Sequence, residues 1–217
     1  MHNETQPIML FLLLAGLSAS AAAVADLSTD VADIQSAWAM ARYQTPAKEQ
    51  GSAFKALTER ARDVVAAYPD KPEAKVWMAI VLSTDAGVNG GISALGKVKE
   101  ARKLLEEAEA INADVLDGSV YTSLGSLYYQ VPGWPLGFGD DRKAAKYLKK
   151  ALAVNPGGID ANYFYGDFLL EEGEPAEAIP YFEKALVAPP RPNRELADQG
   201  RRDEVMAKLA TARAKLN

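Results

Sequence analysis

The residues whose types and spacing could do chemistry are few. Gly91-Ile92-Ser93-Ala94-Leu95-Gly96-Lys97-Val98 has the glycine, four-residue, Gly-Lys spacing of a phosphate-binding loop, in which backbone N–H groups cradle phosphate and a following hydroxyl binds magnesium. Val98 supplies no hydroxyl, and Lys75–Thr84 before the glycines is patterned as a helix, so a turn into a helix is the better reading. Asp140-Asp141 is followed by Arg142-Lys143 and lacks further carboxylates at the intervals of an oxygen-ligand cation site. A helix start explains it better, one carboxylate capping free N–H groups and both meeting the positive end of the helix. The chain has no cysteine and one histidine, His2, which excludes disulfides, thiolate zinc sites and cysteine nucleophiles. No carboxylate pair stands out for acid–base work and no serine lies in an elbow motif. The reading is therefore of a protein without catalytic residues, metal ligands or cofactor.

The elements that position side chains come next. The 217 residues are 48% hydrophobic and 24% charged, with net charge −5, which is ordinary globular material with no excess of basic residues for nucleic acid. Ile8–Leu17 is an apolar run followed by the small residues Ser18–Ala25, and Ala23-Val24-Ala25 has the small-x-small pattern of a signal-peptidase site. Residues 1–25 are expected to be a cleavable signal peptide, leaving a soluble exported chain that starts at Asp26. The alternative is an N-terminal membrane anchor, because Pro7–Ala25 carries no charge.

The rest of the chain repeats. Leu124-Gly125-Ser126-Leu127-Tyr128-Tyr129 lies over Tyr165-Gly166-Asp167-Phe168-Leu169-Leu170; Ala144, Leu148, Ala151 and Pro156 then lie over Ala178, Phe182, Ala185 and Pro190. Small residues facing one another let two helices approach, bulky residues one turn further fill the space between hairpins, and proline stops the unit. A more divergent copy runs through Trp77, Gly96, Ala101, Leu105 and Ala108, and a weaker one through Leu27–Tyr68. The predicted hairpins span about 27–69, 73–113, 118–156 and 159–190, within one domain at 26–217. Val205, Leu209, Ala212 and Leu216 mark a closing amphipathic helix over about 194–216.

These spacings resemble the tetratricopeptide repeat, most clearly over Tyr121–Pro190. The resemblance implies an all-α, right-handed superhelical array of antiparallel helix hairpins with a C-terminal capping helix, acting as a protein-binding scaffold. The chain also resembles, more distantly, the T component of tripartite ATP-independent periplasmic transporters, which implies an apolar pore and an apolar ligand.

Two departures from the repeat suggest where binding occurs. Gly166 to Gly173 is seven residues, Gly125 to Gly139 is fourteen, and Val81 to Gly96 is fifteen, so adjacent hairpins carry insertions at the same tip. Ser83–Leu95 and Val131–Phe138 are expected to form one composite surface, with Trp134, Leu136 and Phe138 gripping a partner or folding back as a cap. On the inner face, helical spacing places Met78, Leu82, Tyr129, Gln130, Tyr163, Phe164, Asp167 and Leu170, a mostly apolar and aromatic set that either packs as core or lines a pocket. Arg191, Arg194, Arg201 and Arg202 interleave with Asp198, Asp203 and Glu204 and read as pairs within a helix. The expected partner is another protein, in an exported or membrane-associated complex, with an apolar small molecule as the alternative, no nucleic acid, and oligomerisation left open.

Overall fold

The computed structural model describes residues 26–216. The leader and its cleavage site, and with them the choice between export and anchoring, lie outside the described residues.

Nine helices are present among the described residues: α1 (Leu27–Tyr43), α2 (Ala47–Ala67), α3 (Pro72–Asn89), α4 (Ile92–Asn112), α5 (Val115–Gln130), α6 (Asp141–Val154), α7 (Ile159–Glu171), α8 (Pro175–Leu186) and α9 (Glu195–Ala214). Local chemistry fixes several ends. Asp26 caps α1 by accepting from the Ser28 N–H, and Asp140 caps α6 by accepting from the Lys143 N–H at 3.1 Å. Proline opens α3 and α8, where a missing N–H costs nothing. Leu116, Asp117 and Gly118 all have positive φ, so the right-handed part of α5 starts after them.

The helices pair in sequence as α1/α2, α3/α4, α5/α6 and α7/α8, and the first helices of the hairpins pack side by side. The repeat positions build this array as the spacing predicts. Ala101, Ala108, Ala144, Ala151, Ala178 and Ala185 are fully buried, as are Leu105, Leu148 and Phe182. A β-carbon on Gly125 would stand 2.6 Å from Leu148 Cγ, which is why that position is a glycine.

The first insertion differs from expectation. Ser83–Leu95 is not a tip loop: α3 runs on to Asn89 and α4 begins at Ile92, so the extra residues lengthen the hairpin by further helical turns. The reason is an internal polar cluster. Buried Asp85 accepts from Thr58 and Asn89 and pairs with Lys97 Nζ at 2.8 Å, while Asn89 also donates to the Gly51 carbonyl. The lysine of the phosphate-loop pattern is thus spent on an internal carboxylate.

The last helix does more than cap. Besides packing on α8 and α7, α9 returns to α1, so the inner surface of the array is closed by the chain's own C-terminal helix.

Candidate functional site

Closure by α9 creates a cleft of about 660 Å³ on the inner face, bounded by α1, α3, α5, α7 and α9. Its aromatic wall starts at Trp38, whose Nε1–H donates to Thr84 Oγ1 at 2.9 Å and whose ring meets Tyr43 and Trp77 edge-on at 5.7 and 6.3 Å. Tyr163 and Phe164 form the opposite wall, their centroids 5.1 Å apart. The Arg201 guanidinium lies over both, 4.3 Å from the first ring and 4.8 Å from the second. Cation and ring faces attract electrostatically, and more so where water is excluded.

A chain of charges crosses the cleft floor. Asp160 of α7 receives Arg191 at 2.7 Å and Arg201 at 2.8 Å; Arg191 also holds Asp198, and Glu204 bridges Arg201 to Arg42 of α1. Burial alone would raise the Asp160 carboxyl, but Arg201 and Arg191 outweigh it and hold the group down at about 2. Burial pushes the Tyr43 hydroxyl up to about 12. Arg194 has no such carboxylate. It stacks over Trp77 at 4.9 Å, its buried Nε has no hydrogen-bond partner, and it makes no ion pair among the described residues.

The inner-face set, left open between core and pocket, divides between the two. Tyr163, Phe164 and Gln130 do border the cleft. Met78 and Leu82, 2% and 1% exposed, belong to the hydrophobic core and do not line it, and Leu170 is equally buried. Tyr129 donates to Asp167 Oδ2 at 2.8 Å, and Asp167 pairs with Lys208 at 2.6 Å, so these residues brace α5, α7 and α9 together beside the cleft. Burial and the Asp167 charge hold the Tyr129 hydroxyl well above its usual range. The inner face is therefore not the apolar surface expected from the first helices. The intrahelical pairing expected of the arginines holds for Arg201 and Glu204, but Asp160 from another helix is the hub.

Trp38, Trp77 and the α5 serines, and the cleft position of Arg191 and Arg194, escaped the sequence reading. One signal was there: Ser119, Ser123, Ser126 and Gln130 recur at four, three and four, a polar stripe on an otherwise apolar helix. Nothing in the spacing announces that α9 and the turn before it deliver arginines to that stripe.

The second insertion forms a separate exposed feature. Val131–Asp140 is fastened at its base by Gly139 N–H to the Pro132 carbonyl at 3.0 Å and Asp140 N–H to the Tyr128 carbonyl at 2.8 Å. A β-carbon on Gly139 would lie 2.0 Å from the Val131 oxygen, so only glycine closes the loop. The two ring fates left open by the sequence divide between residues. Phe138 folds back edge-on against Tyr128 at 5.8 Å with Arg102 over its face at 4.4 Å, whereas Trp134 and Leu136 project outward, 90% and 72% exposed.

A closed array of helix hairpins with an inner cleft is the architecture of a repeat scaffold. Residues 136–193 match the tetratricopeptide repeat family and are a tetratricopeptide-repeat segment, and the array has the tetratricopeptide-repeat fold. A thermophilic TPR protein of Thermus thermophilus superposes with a TM-score of 0.57 at 22% identity, covering 88% of this chain and 91% of that one. MamA aligns with a TM-score of 0.45 at 22% identity over 77% of this chain and 91% of its own. No curated protein sequence matches. Proteins of this repeat fold act as binding scaffolds, presenting extended surfaces built from stacked hairpins.

Proposed function

We propose that the chain is a non-catalytic protein-interaction scaffold, exported after removal of residues 1–25, that presents the Trp134–Leu136 tip to a partner protein. The observation that supports this is the exposure of Trp134 and Leu136 on a loop tied down at both ends. A large ring held rigidly in water loses little entropy on docking, which is how aromatic anchors come to dominate interfaces. The T-component alternative, with its apolar pore, is less favoured, because this cleft has arginines and hydroxyl groups in its walls.

Crosslinking in the native cell with a photoreactive residue beside position 134 tests the reading. One dominant protein partner is expected, with its yield falling at least about tenfold in Trp134→Ala while helicity is unchanged. An undiminished yield removes the tip from the interface. Intact mass gives the export arm: a mature chain beginning at Asp26 is expected, and any other N-terminus overturns it.

A further inference from the structure

The cleft floor carries Arg42, Arg191, Arg194 and Arg201 against Asp160, Asp198 and Glu204, so one positive charge is left over in a protein whose net charge is −5. The surplus belongs to Arg194, the one member of this set with no carboxylate at ion-pair distance among the described residues. Its neighbour Glu195 is exposed and makes no pair with it. Partly burying an unpaired cation costs free energy unless an anion joins it; here burial and the nearby Arg191 charge act against the protonated form and outweigh the more distant Asp160 and Asp198, which favour it. A second group is also unsatisfied. Trp77 Nε1, on the same wall, is buried without a hydrogen-bond partner. Across the cleft, Ser123 and Ser126 of α5 make no hydrogen bond among the described residues, whereas Ser83 of the neighbouring α3 donates to the Ala79 carbonyl one turn back.

We propose that the inner cleft binds a small organic monocarboxylate, its carboxylate on Arg194 and its polar substituents on Ser123 and Ser126. One surplus cation fits one negative charge; the planar guanidinium offers paired N–H donors matched to a carboxylate. The volume of about 660 Å³ suits a small molecule, and α9 closing on α1 limits the room for an extended chain. The site is independent of the tip loop and survives if the partner reading fails.

The test uses 4-hydroxybenzoate and its uncharged counterpart 4-hydroxybenzamide, titrated calorimetrically into the purified protein and followed by saturation transfer. The carboxylate is expected to bind at least about tenfold more tightly than the amide, because a charge-assisted pair is lost in the latter. Arg194→Gln should erase that preference while thermal unfolding stays cooperative, and Arg194→Lys should restore part of it. Equal binding of the two probes, an undiminished preference in Arg194→Gln, or no binding of either up to about 10 mM overturns the proposal.

Discussion

The Tyr43 ring lies so close over Gly200 that a β-carbon there would stand 2.4 Å from Cδ1 and 2.5 Å from Cγ. The contact joins the first hairpin to the last helix, and the Arg42–Glu204 pair at 2.8 Å lies beside it. Closure of the array, and with it the cleft, depends on this approach.

Gly200→Ala should therefore loosen closure. The ring cannot retreat like the end of a flexible chain, and overpacking of this kind costs about 1–3 kcal/mol, against which alanine returns about 1 kcal/mol of helix propensity. A net loss of about 1 kcal/mol in urea unfolding, with a larger radius of gyration by solution scattering, is expected. An unchanged radius and midpoint would mean that α9 closes without this fit.

Acid should weaken the same region. The Asp160 carboxyl is held at about 2 in the folded chain against an ordinary 3.8. Between those values the unfolded chain binds the proton first, so the contribution is complete above about pH 4 and is lost as pH falls towards 2. With partial solvent screening it amounts to about 1–2 kcal/mol. Denaturation at stepped pH should show this decline in the parent and a flatter profile in Asp160→Asn; parallel profiles would assign the acid sensitivity to other groups.

At the tip, two aromatic residues four apart should behave oppositely. Phe138→Ala removes a half-buried ring from Tyr128 and Arg102 and should cost about 1–2 kcal/mol. Trp134→Ala touches nothing it supports and should stay within about 0.5 kcal/mol. Thermal melts of the two variants decide this, and a large destabilisation in Trp134→Ala would show that its ring packs on the fold.

Lys97→Met should be among the more damaging single changes near α4. It strands the buried Asp85 carboxylate, although Thr58 and Asn89 still donate to it. Breaking one side of a buried pair costs about 3–5 kcal/mol, reduced here by those donors to about 2–3 kcal/mol. The double variant Asp85→Asn/Lys97→Met should recover part of the loss, and a double variant worse than the single would contradict a charge origin.

Small-residue spacing around Gly125, Ala144, Gly166 and Ala178, with bulky Leu148 and Phe182 one turn on, carried enough information in the sequence for the hairpin array. The reason is that helix-on-helix packing is set by local periodicity and by the size of the residue at each crossing. Trp134, Leu136 and Phe138 were legible as a distinctive loop, but which ring would turn inward was not, since that depends on Tyr128 and Arg102 from other helices. The inner face was legible only in part: Tyr163 and Phe164 border it, while Met78 and Leu82 face the core. What a helix presents depends on its neighbours on every side, and α9, distant in sequence from α1, is the neighbour that matters. The tertiary structure alone brought Arg191, Arg194 and Arg201 to Trp77, Tyr163 and the α5 serines. Repeats specify local pairing, whereas a partly buried charge is left unpaired only once every nearby carboxylate has found its own partner.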